Sequence, residues 1–137
     1  MDIKEYVESY KEQLFSNLAK LVSYNSVKGE QSDEYPFGKV VADCLAEALK
    51  MCEGYGFETT NLDNYCGYAQ IGEGEQLIGI LGHLDIVPAG EGWDSDPFKM
   101  VEKDGKLYGR GVSDDKGAVV ASMIAMKIIK DMNIPLN

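Results

Sequence analysis

Residues 77–81 read LIGIL, five apolar or small residues in a row. The run is preceded by the turn-rich GEGEQ and followed directly by Gly82. An apolar run this short, closed at both ends by turn residues, fits a strand buried on both faces. Such a strand needs helices to cover it, and the rest of the chain supplies them.

Residues 3–22 carry apolar side chains at 3, 7, 10, 14, 18 and 21, the period of one helix face. A polar, turn-rich stretch (24–36) follows. A second helix is predicted over 38–53, with Val41, Leu45, Ala48 and Cys52 on one face and Leu49 widening it. Glycines in EGYGF end it. FETTNLD (57–63) and YCGYAQIG (65–72) read as short strands. FKMVEKDGKLYGR (98–110) reads as a hairpin turning at Asp104-Gly105. The last long element begins at Asp115 or Lys116 and runs to Met132, with Val120, Ile124, Ile128 and Met132 on one face. The pattern predicts an α/β layer architecture in one domain.

Of 137 residues, 45% are hydrophobic, so a core can form. No stretch approaches the roughly 20 apolar residues of a membrane span, and the charged N-terminus lacks the apolar segment of a secretory signal. A cytoplasmic protein is expected. The net charge of -10 comes without any basic patch, which speaks against a nucleic-acid partner. The three cysteines form no CxxC pair; Cys44 and Cys52 fall on the second helix and read as small core residues. Residues 133–137 read as a helix exit that should lead into another strand. The chain is therefore expected to be an N-terminal part of a longer protein.

Two places carry chemistry. His83, the single histidine, stands two residues before Asp85. In extended backbone these share a face at the end of the apolar run, where ligand sites of open α/β sheets gather. The imidazole can bind a metal while the carboxylate orients it, or it can be a loop histidine satisfied by a hydrogen bond. The second place is YGRGVSDDKGA (108–118), where two glycines flank Arg110 and the pair Asp114-Asp115 precedes a helix. One aspartate suffices to cap that helix; the other is free to serve as a ligand. A phosphate-binding turn at GRG lacks the strand–GxxxxGK[ST]–helix context. Histidine and carboxylate suit zinc, yet zinc takes three or four protein ligands and the chain has no second histidine.

The segments GHLDIVPAGEGW, DPF and DGKLYGRGVSDDKG, with the helix after them, resemble the co-catalytic zinc metallopeptidases. That family includes aminoacylases, carboxypeptidases, succinyl-diaminopimelate desuccinylase and bacterial dipeptidases. PAGEGW followed by DPF is most similar to the dipeptidase V (Xaa-His, carnosinase-like) branch. The resemblance implies an incomplete three-layer catalytic domain, with helices packed on a mixed central sheet and residues 1–137 forming its N-terminal part. It implies two Zn2+ per full-length active site, with Mn2+ or Co2+ as substitutes. His83 would be a ligand of one zinc, Asp114 the carboxylate bridging both, and Asp85 the catalytic-site residue that orients His83. Asp115 falls on a variable position and is not expected to be a ligand; the bond before it is expected to be cis. Trp93, Pro97 and Phe98 are read as loop packing, and Arg110 with its glycines as the turn that aims Asp114.

The implied activity is hydrolysis of dipeptides or short peptides by a metal-activated water. N-acyl amino acid deacylation or desuccinylation, or a catalytically inactive homologue, are the alternatives. The general base, the remaining ligands and the lid or dimerisation domain would lie downstream, so these residues alone are expected to be inactive.

Overall fold

The computed structural model describes residues 2–136. Its elements in order are α1 (Ile3–Ser9), α2 (Lys11–Val22), α3 (Lys39–Gly54), β1 (Glu58–Leu62), β2 (Cys66–Gln70), β3 (Val101–Lys103), β4 (Lys106–Tyr108) and α4 (Lys116–Asp131). The single helix predicted over 3–22 is two helices, broken at Tyr10, whose ψ of 0° opens the turn. A reciprocal capping box between Asp2 and Glu5 starts α1. That helix buries no residue, so Ile3 and Val7 of the predicted stripe remain exposed. The stripe turns inward only in α2, at Leu18, Leu21 and Val22.

Those three side chains meet Cys44, Ala48 and Cys52 of α3 and Val120, Met123, Ile124 and Ile128 of α4, with Tyr55 and Phe57 closing the cluster. Burying each large aliphatic side chain contributes about 1.5–3 kcal/mol. Burial also pushes the Cys52 thiol up to about 11 and raises that of Cys44. Both are core residues with no thiolate character near neutrality.

The strands form two antiparallel hairpins, β1–β2 and β3–β4. In the first, Leu62 pairs with Cys66, and Asp63 and Asn64 turn with positive φ of 51° and 60°. In the second, Asp104 and Gly105 turn with φ of 53° and 71°, as a two-residue hairpin loop demands.

Residues 77–81 depart from expectation. They form no strand, and Leu77, Ile78, Ile80 and Leu81 are 81%, 92%, 63% and 100% exposed. A buried strand needs a ladder partner and cover on two faces. The two ladders among the described residues, β1–β2 and β3–β4, each stay within one hairpin, and neither extends to 77–81. The mixed central sheet is accordingly not assembled here, although the α/β class is as expected. No helix among the described residues is long and apolar enough to cross a membrane.

The ends of the bundle are clamped by polar contacts. The Tyr10 hydroxyl and the Lys127 ammonium both donate to Asp131, with Lys127 also lying over the Tyr10 ring. The Lys127 bond, then the Tyr10 bond, hold the Asp131 carboxyl below its usual range. Its contribution is therefore present above the ordinary carboxylate pKa and is lost as pH falls through the lower folded value. Asp131→Asn should lower the melting temperature at neutral pH by a few degrees, corresponding to about 1 kcal/mol. The difference from wild type should close in melts below pH of about 3; a gap that persists there would locate its origin outside the charge.

Candidate metal-binding and catalytic site

His83 lies one residue beyond Gly82 and Asp114 lies two residues before α4 begins. Separated by thirty-one positions, they meet: His83 Nε2 is 3.1 Å from Asp114 Oδ1. The other ring nitrogen, Nδ1, is 3.1 Å from the Asp85 carbonyl oxygen and 3.3 Å from its Oδ1. Asp85 thus faces Nδ1 with both main chain and side chain, which leaves Nε2 as the outward atom. Burial alone would lower the His83 pKa. The bonds from Asp85 and Asp114 and the charges of Asp85 and Asp115 outweigh it and hold the imidazole above its ordinary value.

The aspartate pair divides its work. The bond between Asp114 and Asp115 is cis. Asp114 presents an 86% exposed carboxylate toward His83. Asp115 occupies the N-cap position of α4 but makes no side-chain capping bond. Its Oδ2 instead accepts the His83 backbone N–H at 3.1 Å. The carboxylate available for capping is used to fix the histidine backbone, a role the sequence reading did not assign.

The loop between the two segments is held by Arg110. Its Nη2 donates to the Ala89 carbonyl at 3.2 Å, which also accepts from Trp93 Nε1 at 2.9 Å. The guanidinium lies 5.5 Å from the centre of the Trp93 ring. The Arg110 N–H reaches the Pro97 carbonyl at 2.7 Å. Trp93 and Pro97 thus pack and pin the loop, and Arg110 is committed to it rather than to a phosphate.

Two further residues reach the site from below. Ser26, fully buried, donates its hydroxyl to the Leu84 carbonyl at 2.6 Å. Lys116, also fully buried, sends Nζ to the Leu21 and Tyr24 carbonyls at 2.8 and 2.9 Å. Burial lowers the Lys116 pKa from the usual lysine value. A signal for Lys116 was present: it stands four residues before Val120, at the head of the buried stripe of α4. Ser26 sits in a polar stretch with no pattern to single it out.

An open groove of about 670 Å³ runs from this cluster between α3, β2 and α4. Leu45, Leu49 and Met126 line its apolar length, while His83, Asp85 and Asp115 stand on its wall.

Two zinc ligands at about 2.0–2.2 Å in tetrahedral array stand roughly 3.4 Å apart, and the His83–Asp114 gap of 3.1 Å is close to that span. Nitrogen and oxygen donors, one ring nitrogen already oriented and an exposed carboxylate suit such an ion. Among the described residues no group of three or more histidine, cysteine or acidic side chains is placed to hold one. The pair fits as part of a site, not as the whole of it.

Residues 79–137 match the model of peptidase family M20/M25/M40. YtjP of Bacillus subtilis (strain 168), which bears a dipeptidase name, is 43% identical over 129 residues, covering 93% of this chain. The Beta-Ala-Xaa dipeptidase of Lactobacillus delbrueckii subsp. lactis is 38% identical over 134 residues, covering 96%. This chain spans 28% of the length of each of these relatives. Among solved structures, human carnosine dipeptidase 1 matches with a TM-score of 0.75 at 25% identity, over 96% of this chain and 31% of that one. Dug1p, a di-peptidase of Saccharomyces cerevisiae, has the same fold over 94% of this chain and 30% of its own, with a TM-score of 0.74 at 24% identity.

Proposed function

We propose, from the premise that this chain is a relative of the M20/M25/M40 peptidases, that it is the N-terminal part of the catalytic domain of a metal-dependent dipeptidase. The observation that carries the reading is the meeting of His83 Nε2 with Asp114 Oδ1 at 3.1 Å, with Asp85 on the ring's other nitrogen. Two distant segments bring an imidazole nitrogen and a carboxylate to one exposed point.

In this reading His83 and Asp114 hold metal, zinc by the chemistry of the donors, with manganese or cobalt able to replace it. When bound, the metal supplies an activated water and polarises the scissile carbonyl. Asp85 keeps Nδ1 engaged so that Nε2 points outward. Asp115 fixes the backbone from which the ring projects. A cytoplasmic location is proposed with it.

The test is a substrate panel on the full-length protein carrying this chain, loaded with Zn2+. Release of free amine from unblocked dipeptides, Xaa-His among them, is expected. Turnover confined to N-acetyl or N-succinyl amino acids would keep the metal ligands but move the reaction to deacylation. No turnover of either class with metal bound would leave a metal-binding protein without this activity.

A further inference from the structure

We infer that Lys116 and Ser26 are positioning residues that fasten the exit of α2 to both segments of the site and so set the distance between His83 and Asp114. The inference rests on reading those two as metal ligands. It begins from an anomaly. A lysine at the first position of α4 is at the end of a helix where positive charge is disfavoured, and this one is fully buried.

Its contacts resolve the anomaly. The ammonium leaves its own helix and reaches Leu21 O in the last turn of α2, where the negative end of the helix dipole favours a cation, and Tyr24 O just beyond. Lys116 is two residues from Asp114, and its own N–H is bonded to Gly111 O at 3.0 Å. The turn that presents Asp114 is thus pinned to the end of α2.

Ser26 does the same for the other segment. Its hydroxyl donates to Leu84 O, and its carbonyl accepts the Ile86 N–H at 3.1 Å. These bonds hold the residues on either side of Asp85, directly after His83. Ser26 N–H donates to Tyr24 O at 2.8 Å, the same carbonyl that receives Lys116. One carbonyl oxygen therefore joins the two tethers. Loosening either one frees one ligand relative to the other.

The test uses metal-free full-length protein titrated with Co2+, whose visible absorption reports coordination geometry. The variants are Lys116→Met, which keeps bulk and removes the donors, and Ser26→Ala. The expected result is Co2+ affinity weakened about 10–100-fold, as for other residues that orient ligands, with an altered absorption band. Ser26→Ala removes a single oxygen and decides the matter if Lys116→Met does not fold. An affinity within about twofold of wild type and an unchanged band, whatever the melting temperature does, would overturn the inference. A His83→Ala control separates the two readings. If that control binds Co2+ as wild type does, the metal assignment fails, and the nitrogen NMR shifts of the His83 ring then decide. Shifts moved by both variants keep the positioning role; shifts left in place overturn it.

Discussion

Alanine at His83 or at Asp114 is expected to abolish dipeptide turnover by the full-length protein, with a loss on the order of 10³-fold or more. A metal that polarises a carbonyl and activates water contributes several kcal/mol to the barrier, and each 1.36 kcal/mol is about tenfold in rate. Removing a ligand forfeits that together with part of the bound metal, so metal content by atomic absorption should fall in parallel. Asp115→Ala provides the contrast. It deletes an acceptor for the His83 backbone N–H and no ligand. Its loss should be nearer tenfold, the range of residues that orient ligands, with metal still bound. An equal loss at Asp115 and Asp114 would show that the roles within the pair are misassigned. Full activity with metal retained in His83→Ala would remove the proposed site altogether.

The contrast between these neighbours marks how far the sequence could be read. His83 stood out as the single histidine, with Asp85 at the alternate position of the same segment, and the resemblance to the metallopeptidases is what singled out Asp114 from its pair. The role of Asp115 was not legible, because two adjacent aspartates before a helix carry the same signal as a cap, and only the fold shows that its oxygen turns toward His83. The helices α3 and α4 fell within one residue of expectation, since a buried face written at helical period is a local property. The hairpin at Asp104-Gly105 was equally local. Residues 77–81 failed for the opposite reason. A strand is defined by partners elsewhere in the chain, and an apolar run states that cover is needed without stating what provides it. The break at Tyr10 was hidden because the stripe passes through it unbroken, and the geometry follows from contacts with Asp131 more than a hundred positions away.

Gly117→Ala is expected to be the most destabilising small substitution in the molecule. A methyl group there would stand 2.1 Å from the Val112 carbonyl oxygen and 3.3 Å from its carbon. Both are backbone atoms, so no side-chain rotation relieves the clash. Either the first turn of α4 or the turn over 112–116 must move. The cost should reach about 3 kcal/mol or more, at the upper end of overpacking effects, which lowers the melting temperature of a domain this size by roughly 10 °C. Gly54→Ala is the matched control. It stands at the last position of α3 with nothing within 4 Å of the added carbon. There the better helix propensity of alanine should stabilise by about 0.5–1 kcal/mol. The two changes add the same atom and should shift thermal unfolding in opposite directions. Because the turn that must give way carries Asp114, Gly117→Ala should also weaken Co2+ binding in whatever protein remains folded, whereas Gly54→Ala should leave it intact. A Gly117→Ala protein that melts and binds metal like wild type would mean that the close approach of α4 to Val112 is not what fixes the aspartate.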